Sequence, residues 1–288
     1  MHPIDLYLRV NQAAWKRLPV VVRNTRMACR YGAFLHQLVC KRAARRQYFG
    51  TFFLRNRPLL EQLRRLLDAW PPAARVRIAV LGCSIGAEVY SVLWTIRSVR
   101  PDLRLQVQAM DISQEVLAAA AAAAYTNESS GLVGASIFER LTERESREIF
   151  SWEGEKGTVN AWIREGISWH LGDAADPQLI EMLGRQDIVL ANNFLCHMEP
   201  VLADKCLRNI ARLLVAGGHL VVLGVDLDVR ARVARELGWQ PVADLVREIH
   251  DGDPSVRGDW PWAWWGLEPL DDRRRDWLLR YAVVYRLS

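Results

Sequence analysis

The sequence predicts an α/β protein built on a doubly wound, mostly parallel sheet. Three observations carry this. Short apolar runs alternate with helical patterns from Val76 to Val225, a glycine turn (Gly82-Cys83-Ser84-Ile85-Gly86-Ala87-Glu88) ends the first run, and the alternation breaks only between Ser136 and Leu171. Strands that alternate with helices pair in parallel and are covered on both faces.

The elements follow in order. Leu35, Leu38 and Val39 lie at helical spacing, and nothing interrupts Ala33 to Gln47. A second helix is expected from Pro58 to Ala69, with Leu59, Leu60, Leu63, Leu66 and Leu67 on one face, proline at its first turn and Pro71-Pro72 as its stop. Val76 to Leu81 reads as a strand, Ala87 to Val99 as a helix, and Leu105 to Met110 as a strand ending at Asp111. Ser113 is placed to cap a helix that runs to Ala124. Glu148 to Trp152 and Thr158 to Arg164, joined through Gly154, read as a hairpin. Asp187 to Leu190 is a strand, Val201 to Val215 a helix, and Gly217-Gly218 is expected to close that helix before a strand from His219 to Val225. A helix to Leu237, an irregular Trp-rich stretch and a last strand from Leu279 to Tyr285 complete the chain. The expected division is 1–70 helical and 71–288 α/β, with the β insertion at 136–171 and a C-terminal extension at 226–288.

Composition limits the function. Half of the 288 residues are apolar and a quarter charged, as in soluble proteins with a sizeable core. No apolar run reaches the ~20 residues of a membrane helix, and Met1-His2-Pro3-Ile4-Asp5 does not begin a signal peptide. A cytoplasmic location is the expectation. Cys29, Cys40, Cys83, Cys196 and Cys206 contain no CxxC pair, so free thiols are expected rather than a metal site. Met1 to Arg57 holds twelve Lys or Arg against Asp5 alone. That end is either a set of solvated helix faces or a surface for an anionic partner.

The middle of the chain has what a nucleoside-like cofactor needs. Gly82 and Gly86 let the backbone approach a ligand. Asp111, at the end of the second strand, can accept from both ribose hydroxyls, and Asp173 in Leu171-Gly172-Asp173-Ala174 suits an adenine amine. A phosphate loop would need GxxxxGK[ST], which is absent. A dinucleotide site prefers GxGxxG with an acid ~20 residues on; here the second glycine is missing and Asp111 lies 29 positions after Gly82. Glu88 just inside the helix would repel a pyrophosphate but suits a sulfonium and its amino acid.

These segments resemble the chemotaxis receptor (CheR-type) methyltransferases. Gly82 to Ser91 is similar to that family's GCSTGEEPYS, Thr51-Phe52-Phe53-Leu54-Arg55 to its TxFFR, and Met110-Asp111-Ile112-Ser113 to its TDI[DS]. Asp187 to Leu195 resembles FDxIFCRNVL, and Leu213 to Leu220 resembles LxPGGxL. The resemblance spans about Tyr48 to Gly224. It implies a seven-stranded class I methyltransferase sheet, a helical N-terminal domain, S-adenosylmethionine as methyl donor and a glutamate carboxylate of a receptor as acceptor. It carries Thr51, Arg55, Glu88, Asp111, Asp173 and Asn192 over as cofactor contacts, with Arg55 also near the transfer point. Gly82, Ser84, Gly86, Ile112 and Ala174 join them from the turns that hold those residues.

The departures lie on the acceptor side. Asn192 replaces the arginine of CRN, His197 and Met198 replace the aromatic pair of VLIYF, Val225-Asp226 replaces Ser-Glu, and the tail is rich in tryptophan. A changed acceptor is therefore expected: a small molecule methylated on oxygen or nitrogen, a carboxylate included. The alternatives are a protein glutamate, and a non-catalytic protein that senses the cofactor or binds nucleic acid through its basic helices. His197 is either a general base or a packed histidine. Asn193, His250, Trp260 and Trp264 join it as candidate acceptor contacts. Trp260, Trp262, Trp264 and Trp265 are either the wall of an apolar pocket or a tail packed on the sheet edge.

Overall fold

Helices α1 (Pro3–Arg17), α2 (Val20–Arg23), α3 (Arg26–Arg42) and α4 (Arg57–Asp68) open the chain in this computed structural model, which describes residues 3–23, 25–129, 131, 135–253 and 258–287. Thr25 caps α3 and Asn56 caps α4 with their side-chain oxygens. The helix expected to reach Gln47 stops at Arg42 because Ala43 turns extended. The segment that follows is held by tertiary contacts of Arg45, which override its helical propensity.

The sheet then builds in order. It comprises β1 (Arg75–Leu81), α5 (Ala87–Arg97), β2 (Arg104–Asp111), α6 (Gln114–Ala122), β3 (Ala124–Tyr125), α7 (Glu143–Ile149), β4 (Phe150–Glu153), β5 (Lys156–Val159) and α8 (Ala161–Arg164). It continues with β6 (Ile167–Leu171), α9 (Leu179–Leu183), β7 (Gln186–Ala191), α10 (Pro200–Ala211), β8 (Leu214–Val221), α11 (Leu227–Glu236), β9 (Gln240–Pro241), α12 (Val246–Asp251), α13 (Trp277–Tyr281) and β10 (Val284–Arg286). Seven strands lie in the order β6-β2-β1-β7-β8-β10-β9. Pairing is parallel from β6 through β8, and β10 runs antiparallel to both β8 and β9. This is the α/β class the alternation predicts. The order reverses beside β1, which opens a crevice at the carboxyl ends of β1 and β7.

Three sequence expectations are corrected. The hairpin is β4-β5, joined by β3 into a three-stranded antiparallel sheet. Glu148 belongs to α7, whose capping box is formed by Thr142 and Glu145, and residues 161–164 are helical. Gly217-Gly218 sits inside β8, where the register against β7 shifts, rather than between a helix and a strand. The last strand shrinks to β10 because Trp277–Tyr281 coils into α13.

Two apolar layers cover the sheet. On one face, Leu59, Leu60, Leu63 and Leu67 of α4 pack with α5 and the Phe53–Tyr125–Phe150 aromatic group. Each buried leucine contributes about 1.5–3 kcal/mol. Helix α4 thus shares the core of the sheet. On the other face, α10 and α11 bury Ala203, Leu207, Ile210, Val229 and Val233. A third, small cluster joins Trp15 of α1 and Leu35 of α3 to Trp260 of the C-terminal extension. Among the described residues no helix is long and apolar enough to cross a membrane.

Candidate active site

The turn after β1 forms the floor of the crevice. Gly82 has φ of +65°, and an added Cβ would lie 2.7 Å from the Phe194 ring, so only glycine fits there without displacing that ring. Asp111, at the tip of β2, is buried and accepts the Ser84 N–H at 2.8 Å and the Ser113 N–H at 3.2 Å. A carboxylate has about four acceptor positions, so both oxygens keep capacity for ligand hydroxyls while the turn stays locked. Ser84 Oγ donates to the Phe49 carbonyl, which ties the turn to the segment before α4. That segment is anchored again where Leu54 N–H donates to Ser91 Oγ at 2.9 Å.

Glu88 faces the cavity from the first turn of α5. It is half-buried, and desolvation pushes its carboxyl above the ordinary glutamate range. The Asn192 amide donates to it at 2.7 Å and, with the Arg55 charge, partly offsets the shift. Asn192 is itself fixed because its side-chain oxygen accepts the Leu223 N–H at 2.9 Å. An enclosed carboxylate with a neutral donor is a seat for a cation. Together with the bare Gly82 floor, it fits the ammonium and sulfonium groups of S-adenosylmethionine.

Arg55 stands between the two halves of the cavity. Its Nε donates to Asp253 at 2.6 Å, and Arg140 Nη2 donates to the other oxygen of Asp253 at 2.9 Å. Asp253 is buried. The Arg55 charge acts on Glu88 on one side and on Cys196 and His197 on the other. Burial, then the Arg55 and Arg45 charges, push the His197 imidazole down, against a hydrogen bond that the ring donates to the Arg46 backbone, so the ring is neutral near pH 7. Burial raises the Cys196 thiol to about 12, which removes it as a nucleophile. Arg45 clamps the acceptor-candidate loop after β7 (residues 192–199) through bonds to the Cys196 carbonyl at 3.1 Å and the Met198 carbonyl at 2.7 Å, and ties it to Asp226 at 3.0 Å.

A cavity of about 960 Å³ connects these groups. Thr51, Arg55, Gly82, Ser84, Glu88, Asp111, Ile112, Asp173, Ala174 and Asn192 all line it, as do Asn193, His197 and Trp264. Asp173 sits exposed at the mouth, where its carboxylate accepts the Ala175 N–H at 2.9 Å. Three expected contacts lie elsewhere. Gly86 is behind the wall, packed against Tyr90 and Ala120, where φ of +87° makes it the helix N-cap. His250 is sealed against Tyr281 and bonds the Glu268 carbonyl at 3.0 Å, because α12 turns it into the interior. Trp260 is packed on Trp15 and Gly32, which draws it away from the cavity toward the N-terminal helices.

Sequence reasoning missed Arg45, Arg140, Asp226 and Asp253. Their partners lie far away in the chain, and the only trace was the departure at Val225-Asp226. The basic N-terminal end is also partly neutralised within the chain: Arg42 pairs with Asp5, Arg45 with Asp226, Arg55 with Asp253 and Arg57 with Glu145.

A family model described as CheR methyltransferase, SAM binding domain, matches residues 50–229. The "Probable biofilm formation methyltransferase WspC" of Pseudomonas putida is 29% identical over 199 residues, which cover 68% of this chain and 43% of that protein. The chain thus spans less than half the length of this relative. Among solved structures, magnesium protoporphyrin IX methyltransferase (ChlM) from Synechocystis PCC 6803 with bound SAM superposes with a TM-score of 0.36 at 14% identity, over 64% of this chain and 69% of that one. PKMT2 from Rickettsia typhi in complex with AdoHcy superposes with a TM-score of 0.35 at 16% identity, over 62% and 26%.

Proposed function

From a chain that belongs to the CheR methyltransferase family, and so is an S-adenosylmethionine-dependent methyltransferase, we propose that the acceptor is a carboxylate, carried by a small molecule. The observation that carries this is Arg55: a guanidinium fixed by its Nε on buried Asp253, lining the cavity between the enclosed Glu88 and the acceptor loop. A fixed cation at that point suits an anionic acceptor and would repel an amine in its protonated form.

In this reading Asp111 accepts from the ribose hydroxyls, Asp173 from the adenine amine, and Glu88, braced by Asn192, holds the ammonium group of the amino acid end. Thr51, Ser84, Ile112 and Ala174 shape the walls around them. The bound donor supplies an electrophilic methyl: the acceptor oxygen bonds to it as the S–C bond breaks, the electron pair stays on sulfur, and the products are a methyl ester and S-adenosylhomocysteine. No proton moves in this step. An ionised carboxylate needs no base, so His197 acts as a neutral wall residue and Arg55 carries the alignment of the acceptor oxygen. The work of the chain is orientation and exclusion of water.

A protein glutamate is the second reading, favoured by the family and the WspC relative. Incubation of the protein and tritiated S-adenosylmethionine with cell extract separates the readings. Base-labile label in the small-molecule fraction is expected. Label confined to a protein band selects the second reading, and base-stable label refutes a carboxylate acceptor.

A further inference from the structure

The cavity is larger than its cofactor residues require, and the two chain ends build the surplus. At about 960 Å³ it lies near the top of the ~300–1,000 Å³ that single-ligand sites span. Beside Arg45, Arg46, Glu199 and Asp259, the cavity is also lined by large apolar side chains. Met198 and Leu202 stand on the side of α10, and Trp264 and Trp265 stand on the side of the C-terminal extension. The two indoles meet edge to face at 4.3 Å, and Trp264 meets the His197 ring at 6.4 Å. Trp265 is pinned because its Nε1 donates to Asp259 at 2.6 Å. Trp265 and Leu202 remain 37% and 44% exposed at the rim, so a large apolar surface faces the opening.

This wall is set by tertiary contacts. Trp260 and Trp262 pack edge to face on Trp15 of α1, at 5.9 and 6.3 Å between ring centres, and His36 of α3 bonds the Pro261 carbonyl at 3.2 Å. Those contacts hold the extension over the cavity. The result is an aromatic-walled slot in the same cavity that Arg55 lines.

We propose that this slot binds a small monocarboxylic acid with an aromatic or similarly flat apolar body. The carboxylate lies at Arg55, and the body stacks against Trp264 and Trp265 opposite Met198 and Leu202. This rests on the carboxylate reading above. Aromatic contacts add to the stabilisation that comes from burying the ring's apolar area.

The test uses the full chain with S-adenosylmethionine and a series of acids: acetate, succinate, phenylacetate, indole-3-acetate and a glutamate-containing peptide. Methyl ester formation is read together with binding, followed by titration calorimetry in the presence of S-adenosylhomocysteine. Phenylacetate and indole-3-acetate should bind at least tenfold more tightly than acetate. Trp264→Ala should remove that advantage with the cofactor Kd unchanged. Leu202→Asp, in the facing wall at the exposed rim, should raise the KM of every acid by charge repulsion, and of the aromatic acids further through the lost apolar contact, and serves where Trp264→Ala does not fold. Aromatic acids that bind no better than acetate overturn the proposal. So does peptide methylation that is indifferent to both variants, although the carboxylate reading then stands. Transfer to a phenol or amine with no acid methylated overturns both.

Discussion

Glu88→Gln is the sharpest test of the cofactor half of the site. Glu88 is enclosed, its nearest donor is the neutral Asn192 amide at 2.7 Å, and its carboxyl is raised by desolvation. The glutamine side chain keeps the volume and removes the charge. A hydrogen bond to a charged group contributes about 1.5–3 kcal/mol, so the loss should weaken S-adenosylmethionine binding roughly 10- to 150-fold. The same group sets a pH dependence. Because the folded chain binds the Glu88 proton more tightly than the unfolded chain does, its stabilising effect is present at low pH and is lost as pH rises from the usual glutamate range through the raised value. A bound cation favours the ionised form, so the thermal stabilisation conferred by the cofactor should grow across that same window and then level off. Titration calorimetry and thermal melts of both proteins from pH 4.5 to 8 measure this. Cofactor affinity within twofold of the parent, or cofactor stabilisation with the same pH profile in both proteins, would refute the assignment of Glu88 as the cation seat.

Three further outcomes are expected. Asp111→Ala should abolish cofactor binding measurable by calorimetry, because it removes the ribose acceptor and frees the Ser84 and Ser113 N–H groups that lock the turn; retained affinity would show that the ribose lies elsewhere. Asp253→Ala leaves Arg55 and Arg140 facing each other without their shared carboxylate, and breaking such a buried pair costs about 3–5 kcal/mol, so the melting temperature should fall by roughly 6–20 °C; a fall under 3 °C would mean that solvent already screens the group. Gly32→Ala puts a Cβ 2.3 Å from Trp260 Cη2; overpacking of this kind costs about 1–3 kcal/mol, and the displaced extension should raise the acceptor KM while the cofactor Kd holds, so parallel changes in both constants would contradict a role confined to the acceptor wall.

The cofactor side was legible in the sequence because its residues are local. Gly82, Ser84 and Glu88 lie within one strand-turn-helix, and Asp111 and Asp173 lie at strand ends that the alternation itself locates. A parallel sheet brings those ends together without further instruction, since every strand enters the crevice by its carboxyl end. Gly86 shows the limit of that reasoning, because its φ serves the turn while the backbone behind it makes no wall.

The acceptor side was decided by tertiary structure. Nothing in the spacing of Arg45, Asp226, Arg140 and Asp253 announces that they pair, because the chain that separates them carries no period linking them. His250 and Trp260 looked as available as His197 and Trp264, and only the packing of α12 and of Trp15 removed them from the cavity. By itself the sequence determined the sheet, the turn and the methyl donor, which rest on local backbone geometry and hydrophobic period. The wall proposed to meet the acceptor depends on contacts between the two ends of the chain, and these exist only once the sheet has brought those ends together.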